Sequence, residues 1–158
     1  MTYARGLIKL PMETNDVDIL LIEDNPYEAQ LTIRSLASKN LTDNLIHIDD
    51  GAEALDFIFA RGIYKNRPIK NHPKLVLLDL KLPKVDGLEV LRQIKADERT
   101  KTIPVVILTS SKEEQDITTS SIYGVNSYIV KPVQFEEFSK TVGELGMYWM
   151  LLNQTPVS

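Results

Sequence analysis

The sequence predicts an α/β domain, a (βα)5 unit whose five parallel strands form one doubly wound sheet. Five short runs rich in β-branched residues and leucine alternate with segments of helical periodicity. Such alternation implies a parallel sheet with helices on both faces. The first, third and fourth runs are also continuously apolar, as strands covered on both sides are.

Asp18–Ile22 (DILLI) opens the domain as its first strand. Asn25 then supplies an N-cap and Pro26 a helix-opening proline, starting a helix that should run to about Lys39. Leu45–Ile48 (LIHI) reads as the second strand. Asp50 and Glu53 form a capping-box pair for a helix with Leu55, Ile58 and Phe59 on one face. Pro68 and Pro73 argue against a helix in the stretch 61–74, and a loop of that length is expected to be functional or mobile. Leu75–Leu78 (LVLL) is the third strand.

Asp86 and Glu89 repeat the capping pair, with Val90, Leu91 and Ile94 facing inward. Pro104–Leu108 (PVVIL) follows as the fourth strand. Ser111 and Glu114 would cap a weak helix, since Thr118, Thr119, Ser120 and Ser121 are poor helix formers. Ser127–Val130 (SYIV) is the fifth strand. The last helix should carry Phe135, Phe138, Val142, Leu145 and Trp149 on one stripe, with Tyr148, Leu151 and Leu152 forming a second stripe.

Composition removes several function classes. The chain has no cysteine, which excludes disulfides, thiol catalysis and iron–sulfur clusters and fits a reducing cytoplasm. A net charge of −4 without a basic block gives no footprint for nucleic acid. The longest apolar run, Met147 to Leu152, is too short to span a bilayer, and residues 1–16 lack the apolar core of a signal peptide. The expected organisation is an N-terminal extension or tag over 1–16, a domain over 17–145 and a C-terminal extension over 146–158. Met12 could be the natural start.

Ligands of open parallel sheets bind at the carboxyl ends of the strands. There the first strand delivers Glu23 and Asp24, the third Asp79, the fourth Thr109 and Ser110, and the fifth Lys131 and Pro132. Taken singly, acidic residues at strand ends are usually solvated loop starts. Three together repel one another unless a hard divalent cation joins them, and few protein ligands with retained water suit Mg2+. One carboxylate could then attack a phosphoryl group, with the lysine and threonine stabilising its equatorial oxygens.

With Pro83, Gly87 and Tyr128 at matching places, residues 17 to about 145 resemble the receiver domain of two-component response regulators. The intervals from Asp79 to Thr109 and from Thr109 to Lys131 are those of that family. Val125 after Gly124 departs from the commoner alanine. The resemblance implies a flavodoxin-like receiver fold with Asp79 as the phosphoacceptor and a histidine kinase as the donor. It implies that Glu23, Asp24, Asp79 and the backbone carbonyl of Lys81 hold the metal, and that Lys131 and Thr109 contact the phosphoryl group. It further implies a Thr109–Tyr128 switch and a cis Lys131–Pro132 bond. Such a protein is not an enzyme beyond loading itself from small donors and losing the phosphoryl group again.

The loop before the third strand and the ending GMYWMLLNQTP resemble the single-domain receivers partnered with phytochromes, which implies a phytochrome-type kinase. That likeness also implies a homodimer through Tyr148, Leu151 and Leu152, with signalling by protein contact.

Other classes fit less well. A haloacid-dehalogenase-type phosphatase needs an acid two residues after its nucleophile, where this chain has Lys81. A flavodoxin-like cofactor binder needs a phosphate-cradling loop in place of Glu23-Asp24-Asn25-Pro26. A phosphorylation-independent pseudo-receiver acting as a dimeric interaction module stays open, although it would normally lack one of these residues. His47 and His72 show no ligand spacing and read as structural or solvated.

Overall fold

The structure is a computed structural model that describes residues 17–110, 125 and 127–152. In chain order it contains β1 (Ile19–Ile22), α1 (Pro26–Ala37), β2 (Leu45–Ile48), α2 (Gly51–Ile58) and a 3-10 turn (Gly62–Tyr64). There follow β3 (Leu75–Asp79), α3 (Gly87–Ala96), β4 (Val105–Thr109), β5 (Ser127–Val130), α4 (Phe135–Glu144) and α5 (Tyr148–Leu151). The five strands form one parallel sheet in the order β2-β1-β3-β4-β5. The predicted helix opened by Ser111 and Glu114 lies outside the described residues.

Strand side chains alternate between two cores, as period-two geometry requires. Leu20, Ile22, Val76, Leu78, Val105 and Ile107 face one core, which α2 and α3 cover with Leu55, Ile58, Val90, Leu91 and Ile94. Ile19, Leu21, Leu75, Leu77, Val106 and Leu108 face the other, which α1 and α4 cover with Ile33, Leu36, Phe138 and Val142. Burial on both faces explains why these strands lack polar alternation in sequence.

Two helix starts behave as the sequence predicts. Asn25 Oδ1 accepts from the Glu28 amide at 2.9 Å, and Asp50 Oδ1 accepts from the Glu53 amide at 2.6 Å. Asp86 occupies the N-cap of α3 but makes no side-chain cap bond. Glu89 instead accepts from Arg92 and Gln93, so that capping box does not form.

The 61–74 loop is firmly tied to the fold. Tyr64 is buried edge-on to Phe57, and its hydroxyl donates to Glu53 Oε2 at 2.6 Å. Arg67 is buried too, stacked 4.0 Å above the Phe57 ring. It donates to the carbonyls of Phe57 and Asn71. Burial lowers the Arg67 pKa from its ordinary value, and nearby Tyr64 partly offsets this. Removing that side chain would orphan two carbonyls and a ring face. Arg67→Ala is expected to cost about 2–3 kcal/mol, read as a lower Tm with faster amide exchange across 62–72. An unchanged exchange pattern would mean that the loop is anchored by other contacts.

The C-terminal region corrects an expectation. The last helix does not run unbroken through Trp149. It stops at Glu144, and Gly146 adopts φ +76, the left-handed conformation that ends helices at little cost to glycine. The chain turns and α5 folds back, with Met147 and Leu151 buried in the core that α1 and α4 cover. Leu151 is therefore a core residue and no part of an exposed stripe. Leu152 packs half-buried against the same core, while Tyr148 and Met150 stay exposed.

Candidate functional site

Each site residue sits where its strand ends. Glu23 directly follows β1, and its amide donates to the Ile48 carbonyl at 3.1 Å, which fixes it beside β2. His47 Nε2 lies 2.8 Å from the Glu23 carbonyl, so the ring donates there and is structural, as expected. Asp79 is the last residue of β3 and pairs in register with Leu108, so Thr109 lies one step beyond it on the neighbouring strand. Lys131 leaves β5 with its amide bonded to the Thr109 carbonyl at 2.8 Å, and the Lys131–Pro132 bond is cis.

These positions bring opposite charges together at low exposure. Glu23, Asp79 and Thr109 are buried, whereas Asp24 is exposed. The carboxylates of Glu23, Asp24 and Asp79 offer oxygens that all lie within 4.8 Å of one another. Lys131 Nζ lies 3.2 Å from Glu23 Oε1, 3.4 Å from Asp79 Oδ2 and 2.8 Å from Glu28 Oε1. The Lys81 amide donates to Asp79 Oδ1 at 3.3 Å, and the Asn25 amide to Glu23 Oε2 at 3.2 Å.

The electrostatics follow from burial. Desolvation, then repulsion from Asp79, pushes the Glu23 carboxyl up to about 8 despite Lys131. Without a cation, Glu23 thus resists ionisation beside Asp79. Burial pulls the Lys131 ammonium down, but Glu28, Glu23 and Asp79 more than offset this, so its pKa stands above the ordinary lysine value.

A second acidic group, Asp49, Asp50 and Glu53, is already engaged. Asp50 caps α2 and pairs with Lys84 at 3.6 Å, and Glu53 accepts from Tyr64.

Residues 19–143 match the family model described as the response regulator receiver domain. The chain belongs to that family. The receiver is 42% identical to a probable methanogenesis regulatory protein, FilR2, of Methanothrix harundinacea, over 87% of this chain and 86% of that one. It is 39% identical to the response regulator Rcp1 of Synechocystis, covering 84% of this chain and 88% of Rcp1. Among solved structures, the bacteriophytochrome response regulator AtBRR superposes with a TM-score of 0.79 at 50% identity, over 87% of this chain and 98% of AtBRR. The Mn2+-bound form of Rcp1 superposes at 0.67 with 37% identity, covering 88% and 96% of the two chains. The phosphorylated cyanobacterial phytochrome response regulator RcpA superposes at 0.68 with 37% identity, covering 85% and 94%. Phytochrome response regulators are thus among the receiver's close homologues.

Of the residues singled out in the sequence, Glu23, Asp24, Asp79 and Lys131 meet at one rim, with Thr109 beside them. Tyr128 stands half-exposed on the edge strand β5, paired in register with Ile107, one residue before Ile129, which continues the Asp79–Leu108 row. Tyr148, Leu151 and Leu152 lie elsewhere, on and after α5. Sequence reasoning missed Glu28, which gives Lys131 its nearest partner. Its signal was available: the first turn of α1 opens directly after Asp24, so an acid there points back toward the rim.

Proposed function

We propose that this receiver accepts a phosphoryl group on Asp79 from a histidine kinase of the phytochrome type and passes the signal on by protein contact. One observation carries the reading: Asp79 is buried at a strand end, with two more carboxylates within cation-sharing distance and the Lys131 ammonium 3.4 Å away. An Asp79 oxygen attacks phosphorus and the P–N bond of the donor phosphohistidine breaks. The bond pair returns to the imidazole, which takes up a proton. Lys131 and Thr109 meet the equatorial oxygens, where charge accumulates.

The donor set suits a hard cation with oxygen ligands. Glu23, Asp24, Asp79 and the Lys81 carbonyl would hold Mg2+, and Mn2+ in the Rcp1 structure supports a divalent ion. When bound, the ion offsets negative charge at the site. The kinase class rests on the phytochrome regulators among the similar structures. Incubation with phosphoramidate and Mg2+, followed by intact mass, is expected to show one added phosphoryl group, lost when EDTA is present. Absence of an adduct, with the stable mimic beryllofluoride failing to bind as well, would leave a phosphorylation-independent interaction module. In the loaded protein Thr109 moves toward the phosphoryl group and Tyr128 turns inward, so the Tyr128 ring resonances are expected to shift.

The receiver acts in the cytoplasm and without nucleic acid. Among the described residues, no helix is long and apolar enough to cross a membrane. Tyr148 and Met150 present apolar surface on α5 while Leu151 anchors it from beneath, an arrangement suited to a homodimer contact. Tyr148→Glu is expected to convert the dimer to monomer in size-exclusion light scattering. An unaltered mass would place the interface elsewhere. Leu152→Glu is less diagnostic, because Leu152 also packs against the core.

A further inference from the structure

We propose that Glu28 is a positioning residue that holds the Lys131 ammonium in the unloaded receiver and competes with the incoming phosphoryl group for it. The inference rests on the phosphoacceptor reading above and concerns the same site. Lys131 has three N–H donors and faces three carboxylates. Glu28 Oε1 is the nearest at 2.8 Å, against 3.2 Å for Glu23 and 3.4 Å for Asp79. Glu28 Oε1 is sealed from solvent, and it meets the ammonium as an ion pair rather than as an aligned hydrogen bond.

Glu28 is well placed for this task. Its amide is fixed by the Asn25 cap, so its backbone stays put when the side chain changes. The helix N-terminus favours a negative charge at that position. The carboxylate is partly exposed, in contrast to Glu23 and Asp79, and can turn toward water once released. Glu28 also takes a share of an ammonium that Asp79 would otherwise divide with Glu23 alone, leaving Asp79 less firmly paired before it attacks. A dianionic phosphoryl group on Asp79 must draw Lys131 toward itself. The Glu28 ion pair is the contact that this movement breaks.

The competition predicts a gain of function. Glu28→Gln keeps the shape and a carbonyl acceptor but removes the charge. With Mg2+ present, half-saturation by beryllofluoride, followed by 19F NMR, is expected at a concentration about three- to tenfold lower than for the wild type. Glu28→Asp, which keeps the charge, should stay closer to the wild type than Glu28→Gln does. In a Lys131→Gln background, adding Glu28→Gln should change nothing, because Glu28 acts through Lys131. That coupling separates positioning from a general electrostatic or structural effect.

Equal affinity of Glu28→Gln and wild type would overturn the proposal. So would a gain that persists without Lys131, which would mean that Glu28 merely repels the anion. A wild type that takes up neither phosphoryl group nor beryllofluoride removes the phosphoacceptor reading, and this proposal with it. A wild type that loads normally while Glu28→Gln matches it removes this proposal alone.

Discussion

Asp79→Asn is expected to gain no phosphoryl group from phosphoramidate and Mg2+, under conditions in which the wild type gains one by intact mass. The exchange is nearly isosteric, so the ladder register with Leu108 survives. The carboxamide lacks the ionised oxygen that would attack phosphorus. Loss of signal could also follow from misfolding, and stability decides between the two causes. Asp79 contributes to the raised Glu23 pKa by repulsion, second only to desolvation. A raised pKa gives stability that is full below the unfolded carboxyl value and is lost as pH rises through about 8. Removing the Asp79 charge eases that loss. In metal-free buffer the variant should therefore melt no lower than the wild type at about pH 6, and gain on it toward about pH 9. A well-folded Asp79→Asn that still takes up a phosphoryl group would move the phosphoacceptor to another carboxylate, with Asp24 the first to examine.

The elements most legible in the sequence are those under the strongest physical constraint. β1, β3 and β4 lie between two helical layers, so nearly every position must be apolar, and the runs ILLI, LVLL and VVIL advertise this. The rim is legible for a related reason. Parallel strands all end on one side, so the residues after each run must meet. What eluded sequence reasoning depends on contacts distant along the chain. Arg67 reads as one more surface cation, yet it is buried because Phe57 offers it a ring face and a carbonyl. Asp86 and Glu89 have the spacing of a capping box, but Arg92 and Gln93 compete for the Glu89 carboxylate. In the C-terminal region the apolar period continues through Trp149, and that period masked the stop signal supplied by Gly146.

Two glycines join the fold to the site, and replacing either is expected to have the largest effect on stability of any single-methyl change. A Cβ at Gly87 would lie 2.5 Å from the Asp79 carbonyl oxygen and 2.5 Å from Leu80 Cα. The Gly87 amide also donates to the Leu80 carbonyl at 2.9 Å. At Gly51 the added carbon would lie 1.9 Å from the Val85 carbonyl oxygen, in a segment that also accepts the Gly51 amide at Pro83. Both obstacles are backbone atoms, which cannot swing aside as a side chain could. Relief requires shifting the 80–86 turn, and with it Lys81 and the end of β3. Gly51→Ala and Gly87→Ala are each expected to cost about 2 kcal/mol or more, and to lower Tm by about 5–10 °C. Gly87→Ala should also slow phosphoryl loading, because the carbon presses on Asp79 itself. Gly143→Ala supplies the opposite sign: nothing lies within 4 Å of its Cβ and it sits inside α4. A gain of about 0.5–1 kcal/mol is expected there. Equal melting of Gly51→Ala and Gly143→Ala would show that the 80–86 turn yields freely, and the turn could then no longer be what fixes Lys81 against Asp79. The contact with Val85 explains why Gly51 passes unnoticed in sequence. It looks like an ordinary residue after an N-cap, and only the crossing of a turn more than thirty residues away reserves its place for glycine.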